Sequence, residues 1–142
     1  MTDTGRYPNA DSATGIHAAG NVDVIDNVVD GVFGDDRISN FSPIGIYAGN
    51  DAFIPVVAAG VQVRDNRVRN LKQIGSLPAE GISVDRPGMS VHDNSIVQRD
   101  QTPGSGVVCA HGDGRVRDNV IKNYANAIAI GICIDDGGNA AY

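Results

Sequence analysis

Tryptophan is absent from the 142-residue chain, and aromatic residues make up only 5% of it. This scarcity counts against a surface that stacks neutral sugars on aromatic rings. Basic residues are also few, 11 against 17 acidic ones, and the net charge is −6. The chain therefore lacks the basic footprint of a nucleic-acid-binding protein. No window approaches 18 apolar residues, so we expect neither a nucleic-acid nor a membrane partner.

Cysteine is nearly absent, and a signal peptide is not recognisable. When the repeats described below are aligned, Cys109 lies opposite Ile134, and Cys133 lies opposite Val108. Because side chains alternate along a strand, one sulfur should point into the core and the other outward. We therefore predict no disulfide between them. The first six residues, Met-Thr-Asp-Thr-Gly-Arg, have no apolar segment or cleavage pattern. The localisation stays open, and it is extracellular or virion-associated if the chain belongs to a larger exported protein.

A short segment containing Asp-Asn recurs four times. Glycine is abundant, with 18 residues, and apolar residues make up 42%, as expected for many turns around a narrow aliphatic core. An apolar residue lies three positions before and two positions after each asparagine. The four pairs are Asp26-Asn27, Asp65-Asn66, Asp93-Asn94 and Asp118-Asn119. Repetition at this length predicts a solenoid.

A second marker, glycine followed by an aliphatic residue, opens a short alternating strand in each repeat. Its copies are Gly15-Ile16, Gly45-Ile46, Gly81-Ile82, Gly106-Val107 and Gly131-Ile132. Each repeat thus supplies at least two strands, and the strands of the next repeat should lie parallel to them at about 4.8 Å. We predict an all-β, right-handed parallel β-helix of about four to five coils, with an internal asparagine ladder.

With V-x-x-N-x-I followed by G-I, the chain resembles the right-handed parallel β-helices of the pectate-lyase-like superfamily. The resemblance covers roughly residues 15–134. It implies parallel sheets, an asparagine ladder inside one turn, and a frequent association with polysaccharides. We divide the chain into an irregular lead-in (1–14), a parallel β-helix (15–134) and a C-terminal tail (135–142).

The repeated asparagines and aspartates are interpreted as structural. Stacked amides bond to one another and to turn backbone, and aspartate at a corner accepts from turn amides. A column of carboxylates could also hold Ca²⁺ between coils, but no D-x-[DN]-x-[DN]-G loop accompanies it. The sequence therefore predicts no metal and no cofactor.

The candidate site lies on the outward face of the strand before the Asp-Asn corner. Burial of Val24, Val63, Val91 and Val116 predicts an exposed column of Ile25, Arg64, His92 and Arg117, flanked by Asp23, Gln62, Ser90 and Arg115. Arg67, Arg69 and Lys122 follow just beyond the corner. Loops at 47–57, 73–80 and 99–105 are predicted to wall a groove there. The basic stripe either neutralises the neighbouring aspartates or binds an anionic chain such as a uronate polymer, because arginine binds carboxylates bidentately.

These observations predict a protein that binds, or acts on, an acidic polysaccharide or oligosaccharide. Arg64, Arg115, Gln62 and Ser90 would bind the chain of sugars. In a polysaccharide lyase- or epimerase-like enzyme, His92 would transfer a proton, and Arg117 or Arg64 would neutralise a carboxylate or act as a base-like partner.

Two other functions remain open. One is a structural or adhesive β-helix segment of a phage tail or surface-protein stalk, and the other is a small-molecule isomerase or lyase, which would need a pocket. An uncapped final coil also predicts a homo-oligomer or a piece of a longer chain.

Overall fold

The described part of the chain consists of β-strands and turns, without a helix. In the computed structural model the backbone is described for residues 2–4, 13–35, 37, 42–49, 61–85, 88–102, 104–109, 115–124, 130–134 and 140–141. In chain order the strands are β1 (Thr2–Thr4), β2 (Thr14–Ala19), β3 (Val24–Ile25), β4 (Val28–Asp35), β5 (Ile44–Gly49), β6 (Gln62–Arg64), β7 (Arg67–Arg69), β8 (Lys72–Ile74), β9 (Ala79–Asp85), β10 (Ser90–His92), β11 (Ser95–Thr102), β12 (Gly104–Cys109), β13 (Arg115–Arg117), β14 (Val120–Tyr124), β15 (Ile130–Ile134) and β16 (Ala140–Ala141).

These strands form three sheets, which the chain visits in rotation. Sheet 1 has the order β2-β5-β9-β12-β15, and sheet 2 has the order β3-β6-β10-β13-β16. Sheet 3 has the order β1-β4-β7-β11-β14, with β8 beside β4. Every pairing between described strands is parallel. The predicted all-β class is confirmed, and one pass through sheets 1, 2 and 3 is called a circuit below.

The register of the sheets is the one that the repeats predict. In sheet 2, Val63 pairs with Val24 on one side and with Val91 on the other. In sheet 1, Ile46 pairs in the same way with Ile16 and Ile82. The unequal intervals in the sequence therefore correspond to one circuit each, with connections of different length between the strands.

Aliphatic side chains from all three sheets fill the interior. Val63, Val91, Ile82, Val68 and Ile96 are completely buried. The residues that alternate with them along the strands face outward, so the short strands present their polar side chains on the outer surface.

Three of the marker glycines in sheet 1, Gly15, Gly45 and Gly81, allow close contact with sheet 3. A Cβ atom on Gly45 would lie 2.3 Å from Val68 Cγ1 and 2.5 Å from the carbonyl oxygen of Gly81. Gly15 and Gly81 are equally crowded, each by an aliphatic side chain and by the carbonyl oxygen of the next glycine in the column. The glycine marker in the sequence therefore reflects steric exclusion of any side chain.

The four repeated asparagines lie at the corner between sheets 2 and 3 and bond to one another in series. Asn27 Nδ2 donates to Asn66 Oδ1 at 3.1 Å, and Asn66 Nδ2 donates to Asn94 Oδ1 at 3.0 Å. Asn94 Nδ2 donates to Asn119 Oδ1 at 2.9 Å. The backbone N–H groups of Asn27, Asn66 and Asn94 also donate to Oδ1 of the next asparagine. Each of these Oδ1 atoms thus accepts two hydrogen bonds from the preceding asparagine. These residues are called the asparagine column.

Strands occur in four segments for which the sequence predicts none. The lead-in contains β1, which pairs with β4, and the tail contains β16, which pairs with β13. The edge of a sheet offers free backbone groups to any extended segment, whatever its side chains. The predicted loop 73–80 leaves the strands only at 75–78. Of the predicted loop 47–57, residues 47–49 belong to β5, and the remainder lies outside the described residues.

The predicted loop 99–105 is wrong, because β11 and β12 include all of it except residue 103, which is not among the described residues. Near the two cysteines the backbone register is the predicted one: Val108 pairs with Cys133, and Cys109 pairs with Ile134. The prediction that the cysteines form no disulfide concerns side chains outside the described ones.

Candidate functional site

The predicted site residues of sheet 2 lie on neighbouring strands. His92 pairs in register with Arg64 and Arg117, which forms one column across β6, β10 and β13. Ser90 pairs in register with Gln62 and Arg115, which forms a second column on the same strands. The structure therefore brings these six residues together.

Each base of the first column is paired with the aspartate that follows it. Arg64 Nη1 donates to Asp65 Oδ2, and Arg117 Nη1 donates to Asp118 Oδ2 at 2.6 Å. The aspartates have left-handed backbone, with φ of 58° at Asp65 and 54° at Asp118, a conformation that aspartate tolerates at tight corners. This corner turns each carboxylate back toward the preceding base, so the stripe neutralises the aspartates beside it.

His92 is buried, which contradicts the predicted exposure. Only 11% of its side chain is accessible, and its Nδ1 lies 2.6 Å from Asp93 Oδ2. Its neighbours in register on the adjacent strands are Arg64 and Arg117. The hydrogen bond with His92 lowers the pKa of Asp93, and the charges of Arg117 and Arg64 lower it further. A ring held in this way is poorly placed to transfer a proton to a chain bound on the surface.

The second column is polar and partly exposed. Arg115 is exposed and has no side-chain partner within the described ranges. Gln62 and Ser90 are half-buried, and their backbone N–H groups donate to Asp23 Oδ1 at 2.8 Å and to the Val61 carbonyl oxygen at 3.0 Å. These residues form a polar face of sheet 2.

A depression of about 570 Å³ lies on sheet 3, on the next face of the molecule. It is lined by Asp30, Arg67, Val68, Arg69, Asn70, Ser95, Val97, Gln98, Arg99 and Asn123. The sequence predicts Arg67 and Arg69 beside the basic stripe, but it does not predict the depression or the contribution of Arg99, Asn70 and Asn123 to it.

One side of the depression is held by Asp30. Its Oδ2 accepts a hydrogen bond from Arg69 Nε at 2.9 Å, and its Oδ1 accepts one from Asn70 Nδ2. Asn70 has left-handed backbone (φ 55°), as does Asn123 (φ 65°) at the equivalent corner two circuits later. Asp30 thus fixes the direction of one guanidinium and one amide.

Gln98 closes the base of the depression. Its side chain is buried, and its Oε1 accepts from the Leu71 N–H at 2.7 Å, while its Nε2 donates to the Tyr124 hydroxyl at 2.9 Å. Asn123 Nδ2 donates to the Gln98 carbonyl oxygen at 2.8 Å. Gln98 stands four residues after Asn94, just as Asn70 and Asn123 stand four after their asparagines. This second spacing in the sequence is the signal that could have located the site.

Two guanidinium groups beside the depression have no partner among the described residues. Arg67 and Arg99 make no side-chain hydrogen bond or ion pair within the part of the chain that is described. Ser95 pairs in register with Arg67 and adds a hydroxyl, while Val97 adds an apolar patch. With three arginines and one aspartate, the lining carries an excess of positive charge. It can bind an anionic ligand, but it offers neither a histidine nor a pair of carboxylates for acid–base chemistry.

Among the described residues no three metal-ligating side chains come together, and no helix is long and apolar enough to cross a membrane. No family model, curated protein or solved structure matches the chain.

Proposed function

We propose that the chain is a right-handed parallel β-helix that binds an acidic polysaccharide or oligosaccharide in the depression on sheet 3. Rotation through three parallel sheets supports the β-helix, because parallel strands that follow one another in this way are joined by right-handed crossovers. The hydrogen-bonded asparagine column supports an internal ladder.

The observation that carries the proposal is that the guanidinium groups of Arg67 and Arg99 beside the depression have no partner among the described residues. Carboxylate groups of uronate sugars match the forked donors of arginine. Hydroxyl groups of the sugar match the Asn123 amide and the Ser95 hydroxyl. The predicted residues of sheet 2 are less suitable, because Arg64 and Arg117 already bind Asp65 and Asp118.

Isothermal titration calorimetry with an oligogalacturonate tests the proposal. Changing both Arg67 and Arg99 to glutamine removes two charge-assisted hydrogen bonds, each worth about 1.5–3 kcal/mol, and we expect affinity to fall at least tenfold. Arg115→Gln is the matched control, because it removes an exposed arginine from sheet 2 and should leave affinity unchanged. A fully methyl-esterified oligogalacturonide, which has no charge, should not bind.

If Arg115→Gln or Arg117→Gln abolished binding and substitution of Arg67 and Arg99 had no effect, the binding site would lie on sheet 2 and the proposal would be wrong. We assign no catalysis to His92, so we expect no ultraviolet-absorbing unsaturated product from the same substrate. Release of such a product, abolished in His92→Ala, would contradict that assignment.

A structural or adhesive segment is the second candidate, and the self-neutralised column of sheet 2 favours it. A protein that binds no acidic oligosaccharide at any salt concentration would fit this second function.

A further inference from the structure

The arginines that line the depression lie in a row along the strands of sheet 3. Arg67 and Arg69 are both exposed on β7, one residue apart from each other. On β11, Ser95 and Val97 pair in register with these two arginines. Arg99 follows Val97 on the same outward face of β11, because accessible and buried residues alternate there. Along the strand direction the order is therefore Arg67, Arg69 and Arg99.

The two arginines without a partner among the described residues stand at opposite ends of this row. Arg99 lies four residues beyond Ser95, the register partner of Arg67 on the adjacent strand. With about 3.3 Å per residue and about 4.8 Å between strands, the Cα atoms of the two arginines are about 14 Å apart. Most of this separation lies along the strands.

The middle of the row carries no net charge. Asp30 pairs in register with Arg69, and its Oδ2 accepts a hydrogen bond from Arg69 Nε at 2.9 Å. Val97, the register partner of Arg69 on the other side, adds an apolar surface. Positive charge is therefore concentrated at the two ends of the row. This pattern fits a ligand with separated acidic groups and a neutral part, such as sugar rings, between them.

The residues that neighbour Arg67 in the stacking direction do not suit an anionic chain. Arg67 and Ser95 have Val28 on one side of their column and Val120 on the other. Of each valine, 47% is accessible to solvent. A chain that crossed the strands at this column would place its charged groups against apolar side chains, which offer them no hydrogen bond.

We infer that the depression binds an anionic chain that lies along the strands of sheet 3, with acidic groups about 14 Å apart on Arg67 and Arg99. This inference rests on the proposed function and specifies the ligand as an oligosaccharide with acidic groups on separate sugars. Once one arginine has bound, the second contact forms within the same complex and at a high effective concentration. Affinity therefore depends on the length of the ligand.

Calorimetry with the galacturonate monomer and with its linear hexamer tests this dependence, the monomer being measured by displacement. We expect the parent protein to bind the hexamer about a hundredfold more tightly than the monomer. Arg67→Gln and Arg99→Gln should each remove most of this difference. A difference no larger than the number of carboxylates in the hexamer is only statistical. That result would overturn the inference and leave the proposed function intact.

Lys122→Gln is the matched control for the direction of the ligand. Lys122 is exposed on β14, in the column of Arg69 and Val97 and two layers from Arg69, and it does not line the depression. We expect the variant to bind the hexamer as tightly as the parent protein does. Loss of affinity in Lys122→Gln, with none in Arg99→Gln, would show a ligand that crosses the strands and would refute the inference. If neither monomer nor hexamer bound the parent protein, the proposed function would fail as well.

Discussion

Asn94 occupies the middle of the asparagine column and is bonded on both sides. Its Oδ1 accepts from the backbone and side-chain nitrogens of Asn66, and its Nδ2 donates to Asn119 Oδ1 and to the carbonyl oxygens of Val63 and His92. We expect Asn94→Ala to lower the free energy of unfolding by about 1–3 kcal/mol, because it leaves buried donors and acceptors unpaired. Urea denaturation measures the change.

Asn27→Ala is the matched control at the end of the column. Asn27 is only partly buried, and its side chain accepts no hydrogen bond within the described ranges, so its removal should cost less. Equal losses for the two variants would show that the serial bonding contributes little.

Glu80 is half-buried on β9, and its burial raises the pKa above the ordinary value of 4.5. Folding therefore favours the protonated form, and this contribution to stability is lost as pH rises through the raised pKa. Glu80→Gln has no charge to bury, so we expect it to be more stable than the parent protein at pH 7. The difference should disappear below about pH 4.5. Urea denaturation at a series of pH values checks this.

The effect of pH on stability should have the opposite sign at Asp93, which therefore serves as an internal control for the Glu80 experiment. Its pKa is lowered, chiefly by the hydrogen bond with His92, so its charged form stabilises the fold above its ordinary pKa of 3.8. Asp93→Asn should destabilise the protein at pH 7, and the difference should shrink as pH falls through the lowered pKa. An advantage of Asp93→Asn at pH 7 would contradict the pairing with His92.

At the scale of the strand, Gly45 of β5 and Val68 of β7 are so close that a Cβ atom on Gly45 would lie 2.3 Å from Val68 Cγ1. Gly45→Ala forces a methyl group against Val68 and the Gly81 carbonyl oxygen, and overpacking of this kind costs about 1–3 kcal/mol. Thermal or urea unfolding measures the loss.

Val68→Ala removes one of the two obstacles to the new methyl group. We expect the double variant Gly45→Ala/Val68→Ala to lose less stability than the sum of the single variants. Strict additivity would mean that the strands separate instead of clashing at this contact.

The repeat in the sequence predicts the strands and their register because it depends on local residues. The apolar positions around each asparagine and the glycine marker determine which side chains face inward, and the sheets follow that pattern. The prediction of a loop at 99–105 is wrong because Gln98 stands at the position that Asn70 and Asn123 occupy in the other repeats. Both asparagines have left-handed backbone and form a corner there, and Gln98 does not. The Gln98 side chain bonds to Leu71 and Tyr124 instead, and β11 continues to Thr102.

At the scale of the whole molecule, residues paired between neighbouring strands lie 22–39 positions apart along the chain, from Thr102 with Tyr124 to Phe33 with Lys72. The chain must close each of these loops before any pairing is gained, which makes folding slow. We expect the fastest refolding phase after urea dilution to take milliseconds to seconds in a stopped-flow experiment. Complete refolding in microseconds would be inconsistent with these long connections.

The candidate site was harder to predict than the fold, because charge pairing depends on contacts between circuits. The sequence shows that Arg64, Arg67, Arg69 and Arg99 are near carboxylates, but it does not show which of them are paired. Asp30 binds Arg69 across a separation of 39 residues, while Asp65 binds its immediate neighbour Arg64. The arginines that remain available are therefore apparent only in three dimensions.

The strands keep the same pairing register in each circuit, although the number of residues between repeats varies. This property has an evolutionary consequence. Inserting or deleting residues between strands leaves the stacked layers unchanged, and duplicating one 25-residue unit, the spacing between Asn94 and Asn119, would add a layer with its own core and corner. A gene of this kind can lengthen by tandem duplication without redesign of its interior. Selection can then adjust the length of the outer surface independently of its chemistry.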